Sequence, residues 1–150
     1  MSKKLTAILA VAAFAAAPLL AGSNSASLSV SAEVVARTLL GIDSQPAALD
    51  VTANDIARGY IDLPQSVAFH IRTNASNGYR LEFEPVQYPF SEARVSWSSN
   101  LAVVAGEGSW VARPYRGGLI ARTMSVRVML APGTQPGTYA WPVHFSASSL

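Results

Sequence analysis

Two carboxylates, Glu82 and Glu84, stand two residues apart in this chain. Such a pair can do general acid–base work on a glycosidic bond when the two groups flank a cleft about 5–9 Å apart. On a β-strand, residues two apart lie about 6.5–7 Å from one another and point to the same face. The distance is met, but both groups then stand on one strand surface, where His70, Arg72 and Arg80 are expected to join them in ordinary cross-strand charge pairs. The two histidines, His70 and His144, fall at outward strand positions, and no third ligand is spaced to complete a zinc site with either. Serines are plentiful, yet there is no Gly-x-Ser-x-Gly elbow and no glycine loop able to cradle a phosphate. The absence of cysteine excludes disulfides, thiolate metal sites and cysteine nucleophiles. The sequence therefore predicts no catalytic residue, no metal and no cofactor, and does not read as an enzyme. Asn74-Ala75-Ser76 matches a glycosylation sequon, a pattern expected often by chance.

Aromatic residues offer a different chemistry. Trp97, Trp110 and Trp141, with Tyr60, Tyr88 and Tyr115, are the types that line sugar-binding faces. Trp97 and Trp141 fall at inward strand positions and are expected in the core. Trp110 and the loop Arg113-Pro114-Tyr115-Arg116-Gly117-Gly118 remain, so Trp110, Tyr115 and Arg116 are the candidate contacts for a carbohydrate or protein ligand.

The elements that must position these residues are strands. In residues 137–148 large apolar side chains occur at every second position: Tyr139, Trp141, Val143 and Phe145. Period-two alternation is what a half-buried strand requires. Pro142 has no N–H to give, so this strand is expected at a sheet edge. Residues 27–37 alternate likewise, with Leu28, Val30, Ala32 and Val34 on one face. Further strands are predicted at residues 48–53 (Leu49, Val51), 65–73 (Val67, Phe69, Ile71 inward), 79–84 (Tyr79, Leu81, Phe83), 93–98 (Val95, Trp97) and 122–130 (Met124, Val126, Val128, Leu130). Residues 101–105 and 109–113 read as a hairpin around Gly106-Glu107-Gly108, and residues 54–59 as a single turn, helical or otherwise.

Parity constrains one connection. If the strands at 65–73 and 79–84 pair, Ile71 and Tyr79 must share a face, and a two-residue Asn77-Gly78 turn would set Ile71 opposite the outward Glu84. The loop must then have an odd length, or the two strands belong to opposite sheets. No convincing amphipathic helix of ten or more residues appears. Seven to nine short strands with regular turn signals predict one antiparallel, immunoglobulin-like β-sandwich, with a closed barrel as the alternative.

The N-terminus has the layout of a secretory signal: Lys3-Lys4, an apolar run over residues 5–20, then small residues. Cleavage is expected between residues 21 and 26, leaving 27–150 as a single domain that is exported to the periplasm or cell surface without a membrane span. Both lysines lie in that segment, so 11 − 2 = 9 arginines face 9 acidic residues in the remainder. A neutral body gives no electrostatic footprint for nucleic acid.

The two end strands together resemble a known group. Ala26-Ser27-Leu28-Ser29-Val30-Ser31-Ala32-Glu33-Val34 resembles the N-terminal segment of secreted pilin-like subunits, above all the spore coat protein U family and archaic chaperone–usher pilins. Pro136-Gly137-Thr138-Tyr139-Ala140-Trp141 resembles the Gly-x-Tyr opening of their last strand. The chain departs from the group in lacking a cysteine pair, in carrying Ser149 where an aromatic is common, and in Pro142. The resemblance implies a fimbrial subunit with an incomplete sandwich, held first by a periplasmic chaperone and then completed by a neighbour's strand into a self-polymer. Leu28, Val30, Ala32 and Val34 would be the donated side chains, and Tyr139, Trp141, Val143 and Phe145 would wall the acceptor groove. The other reading of residues 27–35 is the first strand of a self-complete sandwich.

Overall fold

The computed structural model describes residues 28–150. The signal-like residues 1–26, with the expected cleavage region, lie outside them. The sandwich is built within Val34–Leu150. It contains ten strands and one short helix: β1 (Thr38–Ser44), β2 (Ala48–Val51), α1 (Ala53–Arg58), β3 (Tyr60–Thr73), β4 (Tyr79–Phe83), β5 (Phe90–Trp97), β6 (Asn100–Val104), β7 (Ser109–Arg113), β8 (Leu119–Leu130), β9 (Gly137–Ala140) and β10 (Phe145–Ser149).

Alternation located β3, β4, β5 and β8 and their inward faces. Val67, Phe69 and Ile71 on β3, Leu81 on β4, Val95 on β5, and Met124, Val126 and Val128 on β8 are all buried between the sheets. One sheet has the order β1-β3-β8-β5-β6 and the other β10-β4-β7; β2 and β9 form a separate two-stranded ribbon. All pairings are antiparallel. The fold is thus an all-β antiparallel sandwich, with ten strands rather than seven to nine. Taken in chain order, β1, β3, β4, β5, β8 and β10 occupy the places of strands A to F in an immunoglobulin sandwich, with A-B-E-D in one sheet and F-C in the other.

Four expectations need correction. Residues 28–37 form no strand, and Leu28 and Val30 are 86% and 81% exposed. The predicted strand 137–148 is two strands: Pro142 cannot donate to a ladder, and the chain leaves β9, paired with β2, to begin β10, paired with β4. The predicted hairpin 101–113 is a crossing between sheets, since β6 pairs with β5 and β7 with β4, with the single bridge Ala105–Gly108 at the turn. Of the two solutions parity allowed for β3 and β4, the structure takes opposite sheets. His70 and Arg72 therefore stand on a different face of the molecule from Glu82, and the charge cluster expected around Glu82 reduces to its ion pair with Arg80.

The predicted turn at 54–59 is α1, closed by a capping box in which Thr52 and Asp55 exchange bonds, and stopped by Gly59 in the left-handed region at φ 79°. Pro64 is tolerated within β3 because it lies in a bulge between Leu63 and Val67, where the Gln65 N–H donates to Ser125 Oγ at 3.0 Å instead of to the ladder.

Candidate functional site: an unpaired sheet edge

The edge of the sandwich formed by β1 and β10 is open. Among the described residues β1 pairs only with β3, and β10 only with β4. In an immunoglobulin sandwich strand F has a second neighbour, G; among the described residues β10 has none. The two edge strands meet at one end, where the Thr38 and Ser149 hydroxyls lie 3.0 Å apart and Thr38 also bonds Thr73 Oγ1 at 2.8 Å. The chain enters β1 under the hold of Asn74, whose side-chain amide donates to the Val35 carbonyl at 3.1 Å and whose N–H donates to the Arg37 carbonyl at 3.1 Å.

The inward residues along this edge are half-buried where those of inner strands are sealed. Leu40 on β1 and Phe145 and Ala147 on β10 pack against the core from one side only. Phe145 links the sheets, meeting Phe69 of β3 edge-on and stacking on Phe83 of β4, each with ring centroids 5.5 Å apart. An unpaired edge offers a row of N–H and C=O groups to an added strand, and half-filled inward positions offer it side-chain pockets.

Of the residues predicted to wall an acceptor groove, only Phe145 lies on the open edge. Trp141 and Val143 are buried in the connection between β9 and β10, and Tyr139 sits on β9, its ring edge-on to Phe90 at 6.0 Å. Leu40 and Ala147 were missed; their alternation was visible, but nothing local says that a strand lacks a partner. Leu28, Val30 and Val34 are exposed, as is Ala32.

The other candidates do not converge. Glu84 lies just past β4 and lines a cavity of about 350 Å³ with Tyr88, Tyr139, Trp141 and His144, whereas Glu82 stands on the outer face of its sheet. His70 Nδ1 lies 2.7 Å from Asp43 across β1 and β3, and His144 is exposed elsewhere. Among the described residues no group of three His, Asp or Glu side chains is placed to hold a metal ion. Trp110 is 62% exposed on β7, opposite Glu82 and with the Arg80 guanidinium 5.8 Å from its ring. Tyr115 is exposed on the loop after β7, and Arg116 contributes to a cavity that Trp110 and Tyr115 do not line. Among the described residues no helix is long and apolar enough to cross a membrane.

Compared with known proteins, the chain matches no family model, no curated protein and no solved structure.

Proposed function

We propose that this protein is an exported structural subunit, of fimbrial or pilin-like type, whose sandwich is completed by residues 28–34 of a second copy. The observation that carries the reading is β10, which among the described residues has one partner where strand F of an immunoglobulin sandwich has two. A segment of the right pattern exists in the same chain: Leu28, Val30, Ala32 and Val34 alternate at period two and lie exposed. Added beside β10, such a segment gains main-chain hydrogen bonds and places alternate side chains against Leu40, Phe145 and Ala147.

Burying the three large donor side chains is worth about 5–9 kcal/mol gross. That is comparable to the whole stability of a domain, about 5–15 kcal/mol. A subunit with an empty edge is then marginal and exposes an aggregation-prone strand, which is the reason to expect a periplasmic chaperone as first partner. Export rests on the signal-like reading of residues 1–26. The reading contains no catalytic step, no cofactor and no nucleic acid.

The test is a chain beginning at Val35, unfolded thermally with and without a synthetic peptide of residues 28–34. A saturable rise in Tm supports strand donation; no rise at any peptide concentration sinks it. A second reading, a secreted carbohydrate- or protein-binding module, is favoured by the exposed Trp110 beside Glu82. Glycan binding by a monomeric chain, lost in Trp110→Ala, would put that reading first.

A further inference from the structure

A second feature lies at the end of the sandwich where β5 turns into β6, β7 ends and β8 begins. A cavity of about 270 Å³ is lined there by Arg113, Arg116 and Arg122, with Tyr79, Trp97 and Asn100 among the other walls. None of the residues lining it is acidic. Among the described residues none of the three arginines is ion-paired, whereas Arg58, Arg80, Arg94 and Arg127 each have a carboxylate. The sequence carries this asymmetry: no Asp or Glu follows Glu107.

Three like charges brought to one cavity repel one another, and their field is focused by low-dielectric walls. Trp97 and Tyr79 are buried and supply those walls. The Arg113 guanidinium lies 5.9 Å from the Trp97 ring centroid. Its Nε is buried with no hydrogen-bond partner among the described residues. A buried donor on a charged group is rarely left unmade without a missing acceptor. The convergence is also felt at the Tyr79 phenol. Burial pushes its pKa up, and Arg113, Arg122 and Arg116 each oppose that shift.

The backbone holds the arrangement. Gly78, at φ 102°, lies so close to the Arg113 carbonyl that a Cβ there would stand 2.0 Å from it, so β7 is clamped against the turn before β4. Gly117 and Gly118, both left-handed, bend the following loop between Arg116 and β8.

We propose that this cavity binds an oxyanion group, a carboxylate, sulfate or phosphate, held by Arg113, Arg116 and Arg122 with Asn100 as a neutral donor. Guanidinium is the side chain best suited to such groups, because its planar fork matches two oxygens at once. The volume falls just below the ~300 Å³ at which small-molecule pockets begin, which suits a small anion or the charged end of a saccharide. None of the three arginines lies on β1 or β10, and the proposal does not depend on strand donation.

The experiment is an NMR titration of the folded chain with sodium sulfate, sodium phosphate and sodium D-glucuronate at constant ionic strength, with D-glucose and sodium chloride as controls. The expected result is saturable binding of at least one oxyanion, with a dissociation constant on the order of 1 mM. The Trp97 indole N–H should shift and those of Trp110 and Trp141 should not. Arg122→Gln and Arg116→Gln, both at exposed positions, should each weaken binding by roughly tenfold. Arg94→Gln, on a different part of the surface, should leave it unchanged. Equal affinity for inorganic anions and glucuronate would assign the site to free anions; preference for glucuronate would assign it to an acidic sugar. No saturable shift with any of the three anions overturns the proposal, as does binding that persists unchanged in Arg116→Gln and Arg122→Gln.

Discussion

The two long edges of the sandwich are finished in different ways. On one, β6 passes into β7 through residues 105–108, and the bridge there, with Gly108 N–H donating to the Ala105 carbonyl at 3.1 Å, carries the chain from sheet to sheet. Ala102 and Val104 beneath that crossing are buried. On the other edge β1 and β10 belong to different sheets and no turn carries the chain directly from one to the other; the strands approach each other, and the Thr38 and Ser149 hydroxyls meet at one end. Leu40, Phe145 and Ala147 beneath it stay half-buried. The difference teaches that inward-facing side chains do not seal an edge by themselves. A covering strand or crossing does that, and among the described residues none pairs with the free side of β10.

The comparison can be broken by mutation. The largest effect belongs to Trp141→Ala, in the connection between β9 and β10, where Trp141 is 3% exposed. It should cost about 3–5 kcal/mol by chemical denaturation, as for other core aromatics. A loss under about 1 kcal/mol would mean the open edge reaches further into the core than its burial indicates. Phe145→Ala should cost less in the chain alone, about 1–3 kcal/mol, because one side of the ring is already uncovered. Its cost should grow once peptide 28–34 is bound, and an equal cost in both states would show that nothing inserts beside it. Val30→Asp should change the stability of the lone chain by no more than about 0.5 kcal/mol, since Val30 is exposed. It should nevertheless abolish concentration-dependent self-association on a sizing column, and undiminished association would remove residues 28–34 from the interface.

The smallest expected effect concerns acid. Hydrogen bonds from Thr52, and then Arg58, hold the Asp55 carboxyl below the ordinary aspartate value of 3.8. Arg127 does the same for Asp62, with contacts at 2.6 and 3.0 Å. A carboxyl depressed in the folded state contributes stability above its unfolded value, and that contribution is lost as pH falls through the folded value. The Tm should therefore drop as pH falls below about 3.8, and Asp62→Asn should flatten part of that drop. Neither group lies on the β1 or β10 edge, so peptide 28–34 should leave this acid dependence unaltered.

Much of the fold was legible. Period two identified β3, β4, β5 and β8 and the correct inward face of each, because side-chain direction along a strand is a local property of the backbone. The same local rule also predicted a strand over residues 27–37, of which 28–37 form none, because alternation alone supplies no pairing partner. The predicted single strand 137–148 was misread because Tyr139, Trp141, Val143 and Phe145 keep one alternation through Pro142, while the ladder partners change there from β2 to β4. Only Phe145 stayed on the edge.

The arginine cavity was read only in part. Arg116 stood out as a loop residue, but Arg113 and Arg122 reach the same space from the end of β7 and the start of β8. The sequence by itself determined the strands β3, β4, β5 and β8, the apolar face of each, and that no Asp or Glu side chain follows Glu107. Only the tertiary structure decided which sheet each strand joins, which strand lacks a neighbour, and which charges share a cavity. Alternation and charge sign are set within a few residues, whereas strand pairing and convergence depend on contacts between segments tens of residues apart, whose pairing no local pattern encodes.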